Sequence, residues 1–347
     1  MYTYKFRIYP NKEQQALLAN SFWCCRFVYN KWIATRQEMY KKWEKANYYT
    51  LAWLLKERKQ ELPRLKVAYS QSLQQSLKNL DRAYKNFFAK RSKYPRFKKK
   101  FAKQSCHFPQ HTSIEGMKIK FPKLWLVRCK LHRSVEGCIK NMTITRNPSW
   151  KYYVSICTDH APQKPRGTGS VGIDVGIKEL GYCSDGYVIK NPKFLKKAMK
   201  RLKKQQRFMS RKKKGSRNRN KQRVRVARLY EKVTSQRRDY LHKVSTRLQK
   251  NYETVVVEDL NINNMVKNHC LAQAIIDVSR WMFFTMLDYK TNLIKVKPHN
   301  TSKTCSRCGH VKEKLSLEVR AYTCGACWLI IDRDYNASLN ILARATT

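Results

Sequence analysis

The chain has 347 residues, with 74 Lys and Arg against 23 Asp and Glu and a formal net charge of +51, yet 42% of its residues are hydrophobic and 12% aromatic. Its length leaves room for two or three domains with a substantial core, and the aromatic content excludes a disordered basic tail. So large an excess of cations calls for a polyanionic partner, and nucleic acid fits better than a membrane because no helical stretch sets a basic face against a lipid-like one.

The opening YTYKFRIY (Tyr2 to Tyr9) alternates as a strand, and Pro10 ends it. It offers no apolar core of a signal peptide, and no uninterrupted apolar run of membrane-spanning length is read anywhere in the chain. The twelve cysteines are therefore expected in a reducing compartment. From Asn11, an N-cap, Leu18, Phe22, Cys25, Tyr29 and Trp32 recur at helical steps. A second helix is predicted from Leu73, Leu77, Leu80, Tyr84 and Phe87, which leave one apolar face and one basic face. Tyr94-Pro95-Arg96-Phe97, followed by Lys98 to Lys100, ends the helical part. Residues 106–160 then alternate in short runs such as Lys118 to Phe121 and Tyr152 to Ile156, which predicts a small β-barrel to which the first strand returns. Pro162 to Gly169 reads as a linker.

Beyond it, Val171-Gly172-Ile173-Asp174 is a strand ending on an acid, and Leu180 to Ile189 a hairpin turning at Ser184-Asp185-Gly186. Lys193 to Lys250 reads as a basic helical hairpin that turns at Gly215-Ser216, with Val226, Leu229, Val233, Tyr240, Val244 and Leu248 as its apolar seam. Its cations form either a solvated face or a nucleic-acid face, and their density favours the second. Thr254 to Glu258 is a buried strand, and Leu271 to Lys290 a single helix.

Three carboxylates stand out on so basic a chain: Asp174 in VGIDVG, Glu258 in VVVEDL and Asp334 in DRDYN. Their order resembles that of an RNase H-like nuclease, with one acid on the first strand, one at the end of the fourth and one on a late helix, converging on two Mg²⁺ ions. Carboxylates are the hard ligands Mg²⁺ prefers, and in-line attack at phosphorus needs both the entering and the leaving oxygen held by metal. Each acid alone reads as an ordinary cap or solvated residue; the ordered set carries the argument. Asp259 and Asp332 compete locally, but at offsets that point them away. Cys305, Cys308, Cys324 and Cys327, two CxxC pairs fifteen residues apart, form a four-thiolate zinc site, structural because no coordination position stays open.

GIDVGIKEL, VVVEDL, TSKTCSRCGH, YTCGACW and DRDYNASLNIL, together with YKFRIYPNKEQQ, CRFVYNKW, YPRFKKK and NPKFLKK, resemble the TnpB family, transposon-encoded RNA-guided DNA nucleases related to type V CRISPR effectors. The resemblance spans nearly the whole chain. It implies an α/β multidomain protein: an RNase H-like (RuvC) nuclease domain over 164–300 and 329–347, a zinc ribbon inserted at 301–328, a wedge β-barrel over 1–10 and 100–163, and a helical recognition lobe over 11–99. It further implies a monomer in a ribonucleoprotein that binds a guide RNA, recognises a target-adjacent motif, forms an R-loop and cuts both strands of target DNA. Asp174, Glu258 and Asp334 would be the catalytic, Mg²⁺-binding acids and the four cysteines the Zn²⁺ ligands. Two other readings are an RNA-guided DNA-binding regulator that does not cut and a structural nucleic-acid-binding protein with a zinc ribbon; the intact acids argue against both.

The chain also departs from the family pattern. Trp23, Trp125, Trp150, Trp281 and Trp328 stand where the family usually has glycine, Arg280 replaces a usual aromatic, and Tyr289 to Pro298 looks shortened. The residue after the second cysteine of a zinc knuckle often adopts a left-handed backbone, which would strain Trp328. The tryptophans either fill core or stack on nucleobases.

Overall fold

Strand β1 (Tyr2–Tyr9) shows how the first part of the chain is held: Tyr4, Phe6 and Ile8 alternate into the core while Thr3, Lys5 and Tyr9 face away. The computed structural model describes residues 1–44, 47–160, 167–316 and 319–345 and divides into two units, Met1–Gln163 and Lys164–Thr347. The linker read at Pro162 to Gly169 lies mostly outside the described residues.

In the first unit, Asn11 accepts from the Gln14 N–H and the Gln14 side chain returns to the Asn11 N–H, a capping box that starts helix α1 (Lys12–Lys41). Helices α2 (Tyr48–Glu61) and α3 (Ser70–Phe88) follow, α3 burying Leu73, Leu77, Leu80 and Tyr84 on one face. Strands β2 (Gln104–Phe108), β3 (Ser113–Glu115), β4 (Lys118–Phe121), β5 (Trp125–Lys130), β6 (Ile139–Arg146) and β7 (Tyr152–Thr158) join β1 in an antiparallel sheet of order β2-β6-β7-β1-β5-β4-β3. The first strand does return, to the centre, pairing Tyr2 with Thr158 on β7 and Arg7 with Lys130 on β5. Closure into the expected barrel is not seen among the described residues, because edge strands β2 and β3 do not pair with each other. Strand β2 is met by a helix instead: the Ser72 hydroxyl of α3 donates to the His107 carbonyl, which satisfies a group that a neighbouring strand would otherwise have to reach.

The second unit opens with β8 (Ser170–Asp174), β9 (Gly181–Cys183) and β10 (Val188–Ile189), a meander whose last turn carries Gly186 at φ 84°. Helices α4 (Phe194–Ser210) and α5 (Arg217–Asn251) form the predicted hairpin, Ser216 capping α5 by accepting from the Arg219 N–H. Then come β11 (Thr254–Glu258), α6 (Ile262–Met265), α7 (His269–Val278), α8 (Arg280–Asp288), β12 (Asn292–Val296), the short hairpin β13 (Ala321–Thr323) and β14 (Ile330–Asp332), and α9 (Arg333–Ala343). The main sheet has the order β10-β9-β8-β11-β12, with β11 parallel to both β8 and β12.

Alternation sorts this sheet into two faces. Val171, Ile173, Val255 and Val257 pack against Leu241, Val244 and Leu248 of α5 and Phe283 and Leu287 of α8. On the other face Val256 and Val296 pack against Ile341 of α9. The single helix expected over Leu271 to Lys290 is a correction: Ser279, at φ 55°, ends α7 and begins α8. Apolar periodicity runs through both helices, so composition hides a break made by one left-handed residue. Together His269–Asp288 are long and apolar enough to cross a membrane on composition alone, but Ser279 divides them and Phe283 and Leu287 lie in the core.

Candidate active site and thiolate cluster

The sheet register places two of the three acids. On the parallel strands β8 and β11, Ile173 stands opposite Val257, so Asp174 and Glu258, one residue on, end adjacent strands side by side, about 4.8 Å apart in the hydrogen-bonding direction. Asp174 shares its face with Gly172 and Glu258 with Val256, by the two-residue period of a strand. This is the face that α9 covers.

Asp334 comes down from that helix. Asp332 caps α9, its Oδ1 accepting from the N–H groups of Asp334 (2.9 Å) and Tyr335 (3.0 Å). The cap leaves Asp334 in the first turn. Helix α9 can lie close because residue 172 is glycine: a Cβ there would stand 2.3 Å from the Ser338 carbonyl oxygen and 2.7 Å from the Leu342 nitrogen. Asn336 and Asn340 bind the same helix to the preceding loop, donating to the carbonyls of Thr304 (2.8 and 2.7 Å) and Thr301 (2.9 Å).

Burial, then the charges of Glu258 and Asp334, push the Asp174 carboxyl up to about 7, against weaker opposition from Arg280 and Arg333. Burial also raises Glu258, opposed first by the Thr301 hydroxyl, which donates to Glu258 Oε1. Asp334 is held by two arginines: Arg320 Nη1 lies 3.3 Å from Oδ2 and Arg333 Nη2 3.1 Å from Oδ1. The three acids therefore act on one another electrically, but the described residues hold no acidic trio gathered as tightly as the thiols described below. Of the competitors, Asp332 is occupied as the cap of α9 and Asp259 is exposed.

Sequence reasoning missed four neighbours. Arg333 lies inside the DRDYN motif and was legible there. Arg320 reaches Asp334 only because the β13–β14 hairpin folds it back, and Thr301 reaches Glu258 across a loop. Arg280, flagged only as a departure, is buried at 5% exposure in the first turn of α8, with Nη1 3.6 Å from Met265 Sδ, Nε without a hydrogen-bond partner, and its charge acting on both Asp174 and Glu258.

The four cysteine sulfurs all lie within 4.8 Å of one another, with 3.6 Å between Cys305 and Cys327 and 3.6 Å between Cys308 and Cys324. Tetrahedral zinc with bonds of about 2.3 Å sets sulfurs roughly 3.8 Å apart, so the set fits such an ion. The Cys327 backbone N–H, the largest cause, and that of Ala326 help pull the Cys324 thiol down to about 6. Asn336 Oδ1 accepts from the Ser306 N–H, which ties this cluster to the helix that carries Asp334. Trp328, directly after Cys327, is left-handed at φ 58°, as the knuckle geometry led us to expect.

Residues 153–269 match the OrfB_IS605 family, described as a probable transposase, residues 1–45 its helix-turn-helix domain and residues 282–341 the Cas12f1-like TNB domain. A putative RNA-guided DNA endonuclease of Streptomyces pristinaespiralis is 39% identical over 98% of this chain and 88% of its own length. The putative RNA-guided DNA endonuclease InsQ of Escherichia coli (strain K12) is 34% identical over 98% of this chain and 91% of its own. Among solved structures, Cas12f1 in its complex with sgRNA and target DNA matches in fold with a TM-score of 0.59 at 20% identity, over 95% of this chain and 83% of that one. With two relatives above 30% identity aligned almost end to end, the chain belongs to the TnpB family of transposon-encoded proteins.

Proposed function

We propose that this protein is an RNA-guided DNA endonuclease that cuts both target strands at one RuvC-like centre built from Asp174, Glu258 and Asp334. The observation that carries the reading is the parallel β8–β11 register, which sets two acids abreast beneath the helix bearing the third. The names of the full-length relatives support the same activity.

The donor set suits divalent cations. Asp174 is raised toward neutrality by burial and by two neighbouring acids, which is the mark of negative charge waiting for a counter-ion. Asp174, Glu258 and Asp334 would hold two Mg²⁺ ions, which when bound supply activation of water and neutralisation of charge on the phosphate. The remaining work belongs to the chain. Thr301 fixes one oxygen of Glu258, Arg320 and Arg333 fix Asp334 until a cation competes for it, and Arg280 keeps positive charge beside the first two acids. Cys305, Cys308, Cys324 and Cys327 would hold a structural Zn²⁺.

The finer division follows from the same reading. Residues 1–10 and 100–163 form the wedge, 11–99 the recognition lobe, 164–300 and 329–347 the nuclease domain, and 301–328 the ribbon. Guide RNA pairing reads the target through an R-loop, while the protein, acting as a monomer, grips backbone and the target-adjacent motif.

Protein purified with its co-expressed RNA is expected to cut a matched plasmid with Mg²⁺ and not with EDTA. Asp174→Ala is expected to keep RNA and target binding while cleavage falls at least a hundredfold. Wild-type protein that binds a matched target in Mg²⁺ and never cuts it would replace this reading with that of a DNA-binding regulator.

A further inference from the structure

Ten non-glycine residues have a positive φ in the described chain, and four of them are tryptophans: Trp43 (59°), Trp125 (58°), Trp150 (67°) and Trp328 (58°). The whole chain has eight tryptophans, so half of them occupy the backbone region where glycine is the default and a bulky side chain an outlier. All four are exposed, at 93%, 74%, 51% and 78%, and burial therefore does not offset the strain. Arg146 lies 4.9 Å over the Trp150 ring, a surface contact of modest strength.

Each stands in a turn built for a residue without a Cβ. Past the end of α1, Trp43 N–H donates to the Tyr40 carbonyl and Glu44 N–H to the Met39 carbonyl, the two bonds of a Schellman stop whose left-handed position is usually glycine. Between β6 and β7 the Asn147 N–H donates to the Lys151 carbonyl and encloses the three-residue turn Pro148-Ser149-Trp150, in which the Trp150 N–H donates to the Asn147 carbonyl; the left-handed last residue of such a turn favours glycine as well. Trp125 closes the β4–β5 hairpin opposite Phe121. Trp328 follows Cys327 in the turn closed by the Cys324 N–H donating to the Leu329 carbonyl.

The other tryptophans behave as the residue ordinarily does. Trp32 is buried with its indole N–H on the Leu51 carbonyl, Trp23 stacks on Phe27 with centroids 5.0 Å apart, and Trp53 and Trp281 lie on helices. Backbone geometry thus selects its own set: it includes Trp43, which comparison with the family pattern passed over, and omits Trp23 and Trp281, which that comparison flagged.

We propose that positions 43, 125, 150 and 328 are glycine in the protein as its own cells make it, the triplet taken as tryptophan there being decoded as glycine. Independent replacements of four glycines would leave assorted residues; one shared residue at four left-handed sites points to one shared decoding step.

The test is tandem mass spectrometry of peptides from the protein isolated from cells that carry its gene. Glycine at the four positions is the expected result, and tryptophan at any of them overturns the proposal. A second measurement uses recombinant protein with tryptophan at all four. Trp43→Gly, Trp125→Gly, Trp150→Gly and Trp328→Gly should each raise Tm by about 2–4 °C, and alanine at the same positions by less than half as much, because it keeps the Cβ. Trp53→Gly, exposed within α2, should lower Tm. Glycine variants that melt no higher than the tryptophan chain, or alanine variants that match them, would also overturn it.

Discussion

Asp174 sits where burial and two other carboxylates act in one direction, so its pKa near 7 is a statement about stability as well as chemistry. The folded-state value lies above the unfolded one of about 3.9, so folding favours the protonated acid. The stabilisation is complete below about pH 4 and is lost as pH rises through 7, at up to about 1.4 kcal/mol per pH unit inside that window. In Mg²⁺-free buffer Asp174→Asn should therefore unfold at higher denaturant than wild type at pH 8 and at nearly the same denaturant at pH 4. Urea melts at the two pH values decide it; equal gains at both would show that the asparagine merely packs better. Position and chemical type made the three acids readable from sequence. Arg333 shares the motif of Asp334, but Arg320 and Arg280 were not readable, because they reach the site through a hairpin and a helix start that have no residue signature.

Helix α9 on strand β8 is the joint that brings the third acid to the other two, and its closeness depends on one missing methyl group. Gly172→Ala would put a Cβ 2.3 Å from the Ser338 carbonyl oxygen, which backbone on both sides cannot yield to cheaply. A destabilisation of about 1–3 kcal/mol is expected, together with a loss of cleavage larger than the loss of folded protein, since moving α9 moves Asp334. Thermal melts run beside single-turnover cleavage test this; an alanine variant with wild-type Tm would show that α9 is free to shift. Strands β1, β8 and β11, the Asn11 cap and the α4–α5 hairpin were legible because local pattern and tertiary demand coincide there. The Ser279 break and the open edge of the first sheet were not, because each depends on what packs against the segment rather than on its own periodicity.

At the scale of the molecule the charge has a location. Seven of the 17 residues in α4 and twelve of the 35 in α5 are Lys or Arg, so the hairpin needs an anchor to hold so much like charge together. Asp277 provides it, pairing with Arg237 at 2.6 Å and accepting from the Leu195 and Lys196 N–H groups at the start of α4. All seven cations of α4 are exposed and in position to meet phosphate. Binding of RNA should accordingly weaken by roughly 10³–10⁵ between 50 and 200 mM salt if about six to ten phosphates are contacted. Filter binding across that range checks it, and a flat profile would mean that few of the cations touch the backbone.

Asp174 and Glu258 are 84 positions apart in the chain, and only the docking of one parallel strand beside the other brings them together. Long-range pairing of this kind comes late in folding, after the intervening hairpin has formed and laid itself down. A nascent or half-folded copy would thus cling to polyanions through its lysines and arginines well before it could break a phosphodiester bond, so affinity matures ahead of scission.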